Sequence, residues 1–111
     1  MIALDASFLI DYLDGVSAAG EFVKDHREQP LHAPAQALFE VYRGGIHSSP
    51  NARQSGVQRV EDALAWVHPL EFDRAGAGTA ARVEADLLDA GERVNLGDVV
   101  IAGTCLSTAP T

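Results

Sequence analysis

Three acidic residues, Asp5, Glu40 and Asp98, stand in apolar stretches far apart in the chain. Carboxylates of this kind suit a hard divalent cation such as Mg²⁺ or Mn²⁺, which prefers oxygen ligands. Asp5 closes the short run Ile2-Ala3-Leu4, Glu40 is embedded in ALFEVY, and Asp98 heads VVIA. Singly, each has a structural explanation. An aspartate before a helix caps it, and a glutamate in mid-helix faces solvent. Together they pose a different problem, because acids near buried surface repel one another unless a cation neutralises them. Such an ion can lower the pKa of a bound water, position it in line and stabilise the leaving oxygen of a phosphodiester. The chemistry expected of the trio is therefore metal-assisted phosphodiester cleavage.

Other residues offer less. His26, His32, His47 and His68 are scattered, with no pair at helical ligand spacing, which argues against zinc. Cys105, the single cysteine, sits in an apolar run and reads as a small buried hydrophobe. No Ser-His-Asp grouping emerges from residue order. The glycines of GAGTAA lack the preceding strand and the lysine of a phosphate loop. Arg43 and Arg82 could face phosphate but suit an ordinary surface equally well. Phe39 and Tyr42, at helical spacing, read as core or as dimer contact in preference to base-stacking platforms.

The elements that must position these acids follow from periodicity. IAL is a buried strand ending at Asp5, and SFLIDYLD turns helical from Ser7, with Gly15 closing it. A helix is expected from Ser17 to Glu28, stopped by Pro30, followed by the strand LHAP. AQALFEVYRGGIH places Ala35, Leu38, Phe39, Tyr42 and Ile46 at helical spacing, with Gly44 and Gly45 weakening its second half. SSPNA is a turn, and Asn51 to Trp66 forms an amphipathic helix on Val57, Val60 and Leu64. VHPLEF is a strand candidate. A helix after Asp73 runs to Ala90 with Ala80, Val83, Leu87 and Leu88 inward and Gly91 as its stop, and Gly97-Asp98 opens the last helix. Short apolar strands alternating with helices predict a three-layer α/β/α sandwich around a short parallel sheet, with functional groups outside the carboxyl ends of the strands.

Length and composition set the limits. The 111 residues read as a single domain spanning 1–111, and 47% hydrophobic against 22% charged residues excludes a disordered chain. No run approaches the length of a membrane span, and the acidic N-terminus does not suit a secretory signal, so the expected location is the cytoplasm, away from any membrane. Sixteen acids against eight bases give a net charge of −8, with Lys24 the only lysine. That balance disfavours binding nucleic acid through basic side chains. Either the acids form a solvated surface of the halophile kind, or some of them hold ions that meet the phosphate instead.

The ordered motifs resemble those of PIN-domain nucleases. LDASFLIDYL is similar to the family's opening strand, which ends in Asp followed by a small residue and Ser or Thr. APAQALFEVYRGG is similar to its glutamate helix, and AARVEADLLDAGERVNLGDVVIAGT to its third signature, a glycine-containing turn before an Asp that heads an Ile-Ala helix. Size and pattern place the nearest resemblance with VapC-type toxins of toxin–antitoxin pairs. The resemblance implies a PIN-like fold and a Mg²⁺-dependent endoribonuclease hydrolysing RNA. Asp5, Glu40 and Asp98 would be its metal ligands and catalytic residues, with Ser7 supporting the metal shell. It further implies a homodimer and a cognate antitoxin inserted into the active-site groove. Ala35 replaces the Ser or Thr that commonly begins the glutamate helix. Family members usually continue past the Asp98 helix into further strands and a loop with a fourth acid, whereas this sequence stops at LSTAPT. The expectation is thus a PIN-like domain without its usual C-terminal strands, with a catalytically inactive binding module as the alternative function. Asp86 or Asp89 could substitute as the missing acid, or belong to a solvated helix face.

Overall fold

The computed structural model describes residues 1–48 and 53–108. Its elements alternate as expected: β1 (Ile2–Ala3), α1 (Ala6–Leu13), α2 (Ser17–Asp25), β2 (Leu31–Pro34), α3 (Ala35–Ser48), α4 (Arg53–Ala63), β3 (Val67–Leu70), α5 (Arg74–Asp89) and α6 (Leu96–Ser107). The strands form one parallel sheet in the order β1-β2-β3, with β2 in the middle. Register aligns Ile2 with Leu31 and Leu31 with Val67, and places Ala3, His32 and His68 in the next row.

Strand alternation sends these rows to opposite faces. Ile2, Leu4, Leu31, Ala33 and Val67 share one face with Leu9, Val41, Val60 and Leu64, forming the main core among α1 to α4. A strand order that advances in one direction, β1-β2-β3, places both helix pairs on that same face when the crossovers take their usual right hand. Leu9 is completely buried, and sequestering such a side chain contributes about 1.5–3 kcal/mol. Edge-to-face rings close the outer rim, with Phe8 on Phe22 at 5.4 Å and Tyr12 on Trp66 at 5.0 Å. The other face carries the buried residues Pro34 and Leu70. There α6 lies against β2 and α3, and α5 packs along α6. The three-layer α/β/α arrangement is therefore the observed one.

Two helix pairs approach closely because glycines face each other. A methyl group on Gly56 would lie 2.6 Å from the Gly45 carbonyl oxygen, and one on Gly103 would lie 2.5 Å from that of Gly76. Of the two glycines expected to weaken α3, Gly45 instead lets α4 dock while Gly44 faces open space, and α3 runs through both to Ser48. Tertiary packing has overridden propensity.

Boundaries differ from the periodicity at the ends of two helices. α2 stops at Asp25 because His26 leaves helical geometry; its Nδ1 donates to the Phe22 carbonyl at 2.8 Å, and its ring stacks on Phe22 at 4.0 Å. α4 ends at Ala63, where the Trp66 indole N–H caps the Ala63 carbonyl at 2.9 Å. The expected SSPNA turn lies largely outside the described residues, as does the Asn51 start of α4. No described helix is long and apolar enough to cross a membrane.

Candidate functional site

Because the strands are parallel, their carboxyl ends share one edge, and the first turns of α1, α3 and α5 begin there. Asp5 follows β1 after the single residue Leu4 and caps α1, its Oδ1 accepting from the Phe8 N–H at 2.8 Å. Asp73 does the same for α5, accepting from the Gly76 N–H at 2.9 Å. Capping is thus real for Asp5, and it leaves Oδ2 for another partner. Ser7 is exposed in the first turn of α1.

α3 continues from Pro34 without a loop, so its first residues also sit at this edge. Glu40 is its sixth residue and half-buried. The start of α6 is brought to the same place, since a methyl group on Gly97 would lie 3.9 Å from Nε2 of Gln36. Gln36 and Glu40 are four residues apart and share a helix face. Asp98 is exposed in the first turn of α6 and does not cap it; the cap is Asn95, whose Oδ1 accepts from the Asp98 N–H at 3.2 Å. The Asp98 carboxylate is therefore not committed to the cap that the sequence had offered as its explanation. Gln36 and Asn95, which frame this corner, had no signal beyond their polarity.

The three acids occupy the same end of the sheet but are not closed into a cage. Among the described residues no group of three His, Cys, Asp or Glu side chains is placed to hold a metal ion. The donor types fit a hard cation, all being carboxylate oxygens on side chains with access to solvent. In their present rotamers they do not surround one. Asp86 and Asp89 are exposed on α5.

Elsewhere the sheet joins two residues that looked unrelated in sequence. His32 and His68 occupy matching positions in LHAP and VHPL, adjacent in register, with ring centroids 5.5 Å apart. Nδ1 of His32 is buried without a hydrogen-bond partner. Cys105 is half-buried, and burial pushes its thiol above the ordinary value, which disfavours the reactive thiolate. Desolvation and the nearby Glu61 carboxylate likewise raise the Tyr42 phenol. GAGTAA lies within α5 and forms no phosphate loop. A groove of about 510 Å³ between α1, α3 and α4, lined by Ile10, Leu13, Val41, Gly45, Arg59 and Val60 among others, does not include the three acids.

Of the two readings of Phe39, core or dimer contact, the first is overturned. Phe39 is not core, being 54% exposed, while Ala37 and Val41 take the buried positions. The apolar stripe is rotated because small residues, and not the aromatic ring, face the sheet.

No family model matches the sequence, and no curated protein matches it. Solved structures do. A chain of the VapBC2 complex of Rickettsia felis, bound to a DNA fragment from its promoter, superposes with a TM-score of 0.82 at 13% identity, covering 96% of this chain and 82% of that one. A chain of DNA-bound VapBC from Salmonella typhimurium gives 0.80 at 21%, covering 96% and 81%. A chain of a toxin–antitoxin complex from Klebsiella pneumoniae gives 0.69 at 18%, covering 94% and 77%. The fold of this chain is the one found in those assemblies.

Proposed function

We propose that this chain is the toxin of a VapBC-type toxin–antitoxin pair and a metal-dependent endoribonuclease. The observation that carries the reading is the fold shared over nearly the whole chain with chains of toxin–antitoxin complexes. Fold alone does not fix chemistry, and the acids at the carboxyl edge supply the second support. Asp5, Glu40 and Asp98 are the proposed ligands of Mg²⁺, or of Mn²⁺ in its place. A divalent cation held there would ionise a water and screen charge on the scissile phosphate. The chain's own residues would orient that site. The Phe8 N–H fixes one oxygen of Asp5 and so aims the other, Asn95 holds the turn that presents Asp98, and Ser7 stands beside Asp5 as a supporting hydroxyl. The proposed partners are RNA as substrate, a cognate antitoxin and a second copy of the chain.

A second reading, a PIN-like module that binds without turnover, is favoured by one observation: the acids are not gathered into a group able to hold an ion. RNA cleavage separates the two. The toxin reading expects Mg²⁺-dependent cleavage by the wild type, abolished by EDTA and reduced by orders of magnitude in Asp5→Asn and Asp98→Asn. Equal cleavage in all three, or none by a folded wild type, rejects it.

A further inference from the structure

Gln36, Glu40, Arg43 and His47 follow one another at three- and four-residue spacing, and Phe39 lies three residues after Gln36 and four before Arg43, so the five share one side of α3 as a strip. The strip is the face turned away from the core, because Ala37 and Val41 are buried on the opposite side. It begins at Gln36, beside the first turn of α6, and runs outward past Glu40. On it Phe39 presents an exposed ring, and the Arg43 guanidinium carbon stands 5.5 Å from the ring centroid. Arg43 and His47 are themselves exposed.

From this juxtaposition we propose that Phe39 and Arg43 form a nucleotide-binding contact flanking Glu40: a base of single-stranded RNA stacks on Phe39, and Arg43 meets the adjoining phosphate. The inference rests on the reading of the chain as an RNA-cleaving protein and adds residues that hold the strand. Three arguments carry it. An aromatic ring accepts any base on its π-face, and an arginine alongside adds cation–π and phosphate attraction. At a net charge of −8, the molecule's overall field repels RNA, so the strand must be held by local contacts, and stacking is the kind least dependent on charge. The alternative occupant is a protein surface, but Phe39 is surrounded on its strip by Gln36, Glu40, Arg43 and His47. The core of a protein–protein interface is depleted of charge, and this setting is not.

The test measures binding of a fluorescein-labelled single-stranded oligouridylate by anisotropy, in EDTA so that no strand is cut. Phe39→Leu should weaken binding about tenfold, within the range for loss of one stacked base, and Phe39→Trp should restore or tighten it. Arg43→Ala should weaken binding and flatten the salt dependence by about one counterion. Both sites are exposed, so the variants should melt like the wild type. Wild-type affinity in Phe39→Leu overturns this contact while leaving the nuclease reading intact. A change in association state without a change in RNA affinity overturns it too, assigning the ring to a protein contact. Failure of the wild type to bind the RNA at all overturns the contact, whereas the nuclease reading stands or falls on the Mg²⁺-dependent cleavage assay.

Discussion

Asp5 is asked to do two things: cap α1 through Oδ1 and supply a carboxylate to a cation. The two roles separate by substitution. Asn caps a helix about as well as Asp, so Asp5→Asn should leave thermal stability unchanged while removing the charge a cation needs. Asp5→Ala should lose the cap as well, at about 1 kcal/mol, read from denaturant midpoints. Were both variants equally destabilised, the charge of Asp5 and not the cap geometry would be supporting α1. Asp98 differs, since Asn95 already holds its turn, and no capping loss is expected from Asp98→Asn. Of the sequence-level candidates, the three acids were legible because each interrupts an apolar run. Phe39 was not, because spacing alone does not say which side of a helix small residues will claim. The His32–His68 pair leaves no mark in helical spacing for a related reason: these residues meet across a parallel register.

At the level of elements, the alternation of short strands and helices could be read in advance because the two hydrophobic periods differ so clearly. LHAP was located to the residue, since prolines bound it on both sides. Helix ends were less legible. His26 and Trp66 terminate or cap through side-chain contacts to backbone carbonyls, which leave no trace in periodicity. Nor could the use of glycine as a contact surface be read, and it gives a sharp contrast. Gly103→Ala would drive a methyl group into Gly76 and Ala80 of α5, an overpacking that should cost about 1–3 kcal/mol. Gly20→Ala, in α2 with open space around it, should instead stabilise by roughly 0.5–1 kcal/mol. Urea denaturation of both variants checks the pair. A Gly103→Ala variant as stable as the wild type would mean that α5 and α6 do not meet at Gly103.

For the molecule as a whole, the parallel sheet gathers one end of β1, β2 and β3 at a single edge, and with it residues from opposite ends of the sequence. Asp5 and Asp98 are 93 positions apart (98 − 5), yet both stand at helix N-termini near that edge, Asp5 as the cap of α1 and Asp98 in the first turn of α6. This is the sense in which topology, and not local sequence, makes a site possible. An excess of acids over bases gives the same edge a reason to attract a cation, since unneutralised carboxylates raise the free energy of the compact state. As they stand, the three side chains are not gathered into a group able to hold an ion, so an ion bound there would have to draw them together. The direct measurement is a titration of the folded protein with Mn²⁺, followed by the loss of free-ion electron paramagnetic resonance signal, in the wild type and in Asp98→Asn and Glu40→Gln. Saturable binding by the wild type, weakened at least tenfold in each variant, is the expected result. No binding by the wild type, or equal binding by all three proteins, would contradict a metal site built from Asp5, Glu40 and Asp98.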